Sequence, residues 1–471
     1  MNAKNTACAM APVTATEIAR DSDSNRSLYY RLLQRTDECT QRLAQTFLED
    51  QLATAQLISM DIPATPADLY GWSERGIVEV GQRYLSYLDA RHAGAPRRYF
   101  SGRAHALHFL KTVAPTKLVD GCWLYGVLRH HRDERFRGLI RTYLEELGNG
   151  LDRQNHVALY KRLLASSDCS GWEQLADRYY LQGAVQLALA QQPARFLPEI
   201  IGFNLGYEQL PLHLLITACE LAELDIDPYY FSLHVTIDNF DCGHARHAVR
   251  SVIELCAAAD DPREFYRRVR NGYQLNGLGE STNRIIASFD LQREVCAMLE
   301  RKAVIGRFMH ADRCRVGGRT INDWLSQRGG MREFLGALER HGWIRRHRDP
   351  VESRFWQLLQ GDQPLMYGVF SASEQQLLYD WIAGDHLAQC RTTPFRRAAQ
   401  ATEARTAAIN PEPLPDERNR FDENFAALPD RDARMRWLIE RIAPAVHDSP
   451  LGLHATRLFS TLFGADAEAI A

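Results

Sequence analysis

The sequence contains no C-x-x-C pair, no H-E-x-x-H, no G-x-S-x-G, no G-x-x-x-x-G-K-[ST] and no G-x-G-x-x-G. Zincin, hydrolase, P-loop and dinucleotide-binding readings are therefore left without a motif. E-x-x-H is missing too, which disfavours a ferritin-like helical bundle. No apolar run approaches the ~20 residues of a membrane span. The net charge of -3 argues against bulk attraction to nucleic acid or membrane. Ten cysteines are scattered without paired spacing, and no signal peptide precedes them, which leads us to expect reduced thiols in a cytoplasmic protein. Alternating strand patterns are nearly absent, so the fold class expected is all-α.

What remains is a chain of 471 residues with 45% hydrophobic and 24% charged residues, globular averages at a length that calls for two or so domains. Residues 1–26 lack periodicity and read as a disordered tail. Residues 27–278 read as a helical domain whose runs include Leu28–Leu57, Ala67–Arg91, Arg103–Thr112, Leu118–His130, Arg135–Leu147, His156–Leu164 and Trp172–Ala190. Pro or Gly falls between the runs, as at Pro63, Pro66, Pro115, Gly148 and Gly150. Residues 279–385 read as a mostly helical accessory unit, with Gly342 as a C-cap and Ser371 or Ser373 capping a last helix. Residues 386–431 read as a linker and 432–471 as C-terminal helices.

Three segments carry acids or histidines inside apolar runs. In Tyr229–Ala248, His234 and Asp238 are four apart and leave a helix on one face. At ~100° per residue His234, Asp238 and Asp241 fall within roughly 60°, whereas His244 is about 80° from His234, so a bulge near Cys242–Gly243 is needed to bring it in. In Leu139–Leu164, Glu145 aligns with His156 on an unbroken helix, while Glu146 aligns only if Gly148–Asn149–Gly150 interrupts it. In Phe196–Leu221, Glu208 is preferred to Glu199, which reads as a first-turn acid favoured by the helix dipole. Burying such acids unpartnered would cost several kcal/mol. Arg246 or Arg250 could be the partner of the 238 and 241 acids; the other reading is a metal such as iron or manganese, held by carboxylates and imidazoles.

E-L-G-N-G-x5-H at 146–156, a Glu at 208 and H-x3-D-x5-H at 234–244 together resemble the iron-containing redox enzymes of the haem-oxygenase-like di-metal oxidase and oxygenase superfamily, in a long form with a C-terminal extension. The resemblance is closest over about Ala104–Ile253. It implies a haem-oxygenase-like helical bundle with two irons held by Glu146, His156, Glu208, His234, Asp238 and His244, manganese being the alternative metal. It selects Glu146, the acid directly before Leu-Gly, over Glu145. The last ligand stays between His244 and Asp241, with His244 the expectation and Asp241 a hydrogen-bond acceptor behind it. Glu208 is an example of a carboxylate able to shift between terminal and bridging modes. Asp120, in VDGCWLYG, is read as capping Gly121–Leu124, with a supporting or ligating role as the lesser alternative.

The function so implied is O2-dependent oxidation of a small amino-acid-like or fatty-acid-like substrate by N-oxygenation, desaturation or oxidative C–C cleavage in natural-product biosynthesis. It needs an external reductant of unknown identity, because no flavin or haem motif is visible. Membrane and nucleic acid are not expected partners, and a homodimer is left open. The competing reading starts from residues 301–348, where twelve Lys/Arg face four Asp/Glu. It makes the accessory unit a nucleic-acid-binding module of a metal- or ligand-sensing regulator.

Overall fold

The computed structural model describes residues 24–237, 243–362, 364–389 and 412–470. As expected the chain is all-α; its described strands are a single hairpin, β1 (Arg315–Val316) and β2 (Arg319–Thr320).

The run expected as one helix from Leu28 to Leu57 is two, α1 (Asn25–Gln34) and α2 (Glu38–Ala55). Asp37 explains the break: its carboxylate accepts from Thr40 N at 2.8 Å and starts a new helix. Next come α3 (Leu69–His92) and α4 (Arg103–Lys117), then a 3₁₀ segment, Cys122–His130, where an α-helical run was expected. The domain continues through α5 (Arg137–Glu146), α6 (His156–Ser166), α7 (Leu181–Gln191), α8 (Leu197–Tyr207) and α9 (Leu212–Glu223). It ends with α10 (Tyr229–Ile237), α11 (His244–Ala257) and α12 (Pro262–Gln274).

Apart from Glu199 and Asn204, helix α8 is apolar around its circumference, the mark of a buried helix, and all residues from Pro198 to Leu205 are buried. It lies backbone to backbone against α12. A Cβ at Gly202 would strike the Val269 carbonyl, and one at Gly272 would strike the Glu199 backbone. This close approach fixes the position of Glu208, which ends α8 as its C-cap. Trp123 and Phe203 pack edge to face beside it, and Trp123 Nε1 donates to Asn204 Oδ1 at 2.9 Å.

The accessory unit comprises α13 (Thr282–Ala287), α14 (Leu291–Gly306), the hairpin, α15 (Ile321–Ser326), α16 (Met331–Arg340), α17 (Arg354–Gln360), α18 (Ala372–Ala383) and α19 (His386–Gln389). Gly342 takes φ +70 just past α16, and Ser371 with Glu374 forms a capping box on α18, both as expected. The unit has its own core around Met298, Trp324, Leu335 and Trp381. It docks through Asp380, whose carboxylate accepts from Ala104 N at 2.7 Å and so caps the start of α4.

Within residues 386–431, expected to be linker, 415–426 form α20 (Pro415–Ala426). Phe421 is its buried side chain, lodged against Trp437 and His454; a single anchor leaves no periodic stripe to read. With α21 (Arg431–Arg441) and α22 (Pro450–Ile470) it packs on the first domain. Leu438, Ile442, Ala455 and Phe459 join the same core as Tyr143 and Leu147. Among the described residues no helix is long and apolar enough to cross a membrane.

Candidate metal centre

Glu146 is the last residue of α5 and is buried. The helix cannot continue because Gly148, Asn149 and Gly150 take φ of 62, 50 and 82, a left-handed run that glycine tolerates at two of its three positions. The chain restarts at Asn155, whose side chain accepts from Ala158 N at 3.0 Å and makes His156 the first residue of α6. The Gly-Asn-Gly break is thus present. It swings His156 back so that its Nδ1 lies 2.5 Å from Glu146 Oε2.

Asp120 joins this pair from the turn before the 3₁₀ segment. The sequence reading made it a cap for Gly121–Leu124, but that segment has no side-chain cap. The carboxylate instead turns inward, with Oδ2 3.1 Å from His234 Nε2 and 4.0 Å from His156 Nδ1. Gly121, at φ +77, makes room for the Glu146 side chain. A Cβ there would stand 2.7 Å from that of Glu146. Tyr207 donates to Asp120 Oδ1 at 2.6 Å, Tyr230 donates to Oδ2, and the Lys117 ammonium lies 3.9 Å from Oδ1. Burial works to raise the Asp120 pKa, but interactions led by the Lys117 charge outweigh it and hold the carboxyl well below its ordinary range. The two tyrosines shift the other way, held neutral by burial and by the Asp120 charge. His234 Nδ1 lies 2.7 Å from the Tyr230 carbonyl, which can only accept. The proton is therefore placed on Nδ1, leaving the Nε2 lone pair facing the cluster.

The other side is built by Glu208 and His244. His244 is the first residue of α11; its Nδ1 lies 3.1 Å from Glu208 Oε2 and 3.5 Å from Glu146 Oε1, and its Nε2 lies 2.8 Å from Glu145 Oε2. Burial raises the Glu145 pKa, but the hydrogen bond from His244 more than offsets this and the carboxyl titrates below its ordinary value. Glu145 and Glu146 therefore occupy different places: Glu146 faces both histidines on the inside, and Glu145 holds the far side of His244.

Two groups of potential ligand atoms result, each within 4.8 Å of one another: Asp120, Glu146, His156 and His234, and Glu146, Glu208 and His244. Glu146 is common to both, with one oxygen toward each. Glu208 belongs to the second group alone. Asp238 and Asp241 lie outside the described residues, as does most of the expected bulge at Cys242–Gly243. Glu199 is elsewhere, in the first turn of α8 and paired with Arg268 at 2.6 Å. Arg250 pairs with Glu254 and Arg246 lies over Tyr70.

Sequence reasoning gave Asp120 the wrong principal role and passed over Lys117, Tyr207 and Tyr230. One signal was present: an acid between Val119 and Cys122–Trp123 with no arginine or lysine one turn after it. The donor set fits a hard or borderline divalent cation. Three buried carboxylates beside a single ammonium favour added positive charge, and imidazole lone pairs aimed at carboxylate oxygens are reconciled by a cation between them.

No curated protein and no solved structure matches the chain. A family model described as iron-containing redox enzyme matches residues 107–277. Both ligand groups fall inside that stretch. The segment that builds this buried acid–histidine centre is similar to the iron-containing redox enzymes of the haem-oxygenase-like family, and the match supports an iron-dependent redox role for that segment.

Proposed function

We propose that the centre holds two irons side by side, one on Asp120, Glu146, His156 and His234, the other on Glu146, Glu208 and His244 with Asp238 added. The observation that carries this reading is the sharing of Glu146 between two ligand groups. Iron bound there supplies O2 activation, with electrons from an external donor.

The protein's own part is to position and to exclude water. Tyr207, Tyr230 and Lys117 fix the Asp120 carboxylate and keep it ionised. Glu145 fixes the His244 ring. Trp123, Tyr160 and Leu147, all fully buried, help wall the core. A cleft of about 530 Å³ is lined by Arg103, Arg153, Arg162 and Tyr230. Tyr230 is the residue common to cleft and centre; Asp225 and Asp227 also line the cleft and Arg162 pairs with Asp152, which leaves Arg103 and Arg153 as the cations suited to a carboxylate-bearing substrate. This supports oxidation of a small amino-acid-like or fatty-acid-like acid, by N-oxygenation, desaturation or oxidative C–C cleavage.

The test is anaerobic loading with Fe(II), metal analysis, and O2 uptake with amino acids and fatty acids as candidate substrates. The proposal expects about two irons per chain and uptake stimulated by an acid of one of these classes. Well under one iron per chain would sink it. No specific observation favours the regulator reading: Arg345 and Arg348 pair with Glu352, Arg346 lies over Trp381 and Arg319 over Trp324, all inside the accessory unit.

A further inference from the structure

The accessory unit encloses a cavity of about 470 Å³ that takes no part in the acid–histidine centre. Its walls are Leu299, Phe334, Leu338, Trp343, Phe355 and Met366, side chains that in a closed core would interdigitate. A space of this size is far beyond a packing defect and falls in the range of small-molecule pockets, roughly 300–1,000 Å³. The charged groups around it are of one sign. Lys302, Arg313 and Arg315 line it together with His310, and among the described residues no Asp or Glu does.

These cations are not equally available. Lys302 pairs with Glu374 at 2.7 Å. Arg315 is held by the carbonyls of Asp312 and Gly318, contacts that orient the guanidinium without neutralising it. Arg313 is exposed and has no acidic partner among the described residues. The chain on either side of several lining residues is also unusually apolar. Ile305, Phe308 and Met309 flank the lining residues Gly306 and His310, Leu365 and Tyr367 flank Met366, and all five are exposed. Exposed apolar side chains in the segments that line an apolar, cation-edged cavity are the mark of a binding surface.

We propose that this cavity binds a fatty acid, its chain among Leu299, Phe334, Leu338 and Trp343 and its carboxylate at Arg313 and Arg315. Nothing in the argument depends on the metal centre, so it stands or falls separately from the oxidase reading.

The test uses the full chain and dodecanoate below its micelle concentration, followed by calorimetry, with dodecanol and dodecyltrimethylammonium as the neutral and cationic counterparts. Saturable 1:1 binding of dodecanoate is expected, at least about tenfold tighter than dodecanol, the worth of one charge-assisted contact, with the cationic analogue weakest. Leu338→Trp, which fills the cavity, should abolish binding. Arg313→Glu, a surface change that leaves the core intact, should weaken dodecanoate and spare dodecanol. No binding of dodecanoate by the wild type would overturn the proposal. So would equal binding of all three amphiphiles, or dodecanoate binding that survives both substitutions in proteins with wild-type thermal melts.

Discussion

The two halves of the buried centre are built from similar ligands but supported differently. Around Asp120, His156 and His234 the support is interior: two tyrosines and a lysine on the carboxylate, a backbone carbonyl behind His234, and an Asn155 cap under His156. Around Glu208 and His244 the support reaches toward solvent, because the His244 ring is backed by Glu145, whose side chain is 34% exposed where that of Asp120 is 0% exposed. Charge interactions strengthen as water is excluded, so the interior half is the better preorganised. The account therefore expects unequal metal affinity, with the Asp120 half filling first.

The largest effect should come from the residue both halves share. Glu146→Ala should lose both metals and all metal-dependent O2 uptake while helical circular dichroism stays close to wild type. Retention of either iron would mean that Glu146 does not bridge. Next, single-sided changes should split the pair. His234→Ala should empty the Asp120 half, and His244→Ala should leave that half loaded at one iron per chain. Asp238→Ala is expected to behave like His244→Ala. If His234→Ala and His244→Ala instead had identical metal contents, the two-sided description would fail.

Smaller effects are expected one layer out. Tyr230→Phe removes a donor to Asp120, and Glu145→Gln removes the negative charge behind His244. Each should weaken its own iron by about 10–100-fold, as is usual for residues that orient ligands. Fe(II) titration of the two variants reads this directly, and the Tyr230 change should move the tighter site while the Glu145 change moves the weaker.

The legibility of these halves in the sequence also differs. Glu146 and His156 could be found because a local event joins them: two glycines within three residues stop a helix and restart it at a capping Asn. The choice of Glu146 over Glu145 needed the family resemblance, since geometry alone allowed either. Asp120 could not be placed because its partners are distant in the chain; His234 is 114 residues away and Tyr207 is 87. No periodicity links such positions. The helical character of the chain was legible from spacing, whereas the split at Asp37 and the helix at Pro415–Ala426 were missed. A single capping side chain decided the first and a single buried phenylalanine the second.

An effect on stability alone is expected from the C-terminal helices that brace the Asp120 half. His447, buried, accepts at Nδ1 from Asn155 Nδ2 at 3.0 Å, and Asn155 starts the helix carrying His156. Burial pushes the His447 pKa from its ordinary 6.5 down to about 4. The unfolded chain then takes up the proton first, so the contribution is complete above about pH 6.5 and is lost as pH falls toward 4. The full loss from one such histidine is about 3 kcal/mol. His105, His108 and His213 are shifted the same way by burial, so His447→Gln should flatten the acid limb of the stability curve only in part. Denaturant melts of wild type and variant at pH 7.5 and pH 5 compare them; a variant with unchanged pH dependence would show that His447 is not held neutral.

The most direct measurement of the central claim is anaerobic titration of Fe(II) into the wild-type chain, followed by Mössbauer spectroscopy after exposure to O2. Two irons sharing Glu146 predict binding in two steps to about two per chain and an oxidised spectrum with paired spins. A single iron per chain, or two irons that remain magnetically independent after oxidation, would contradict it.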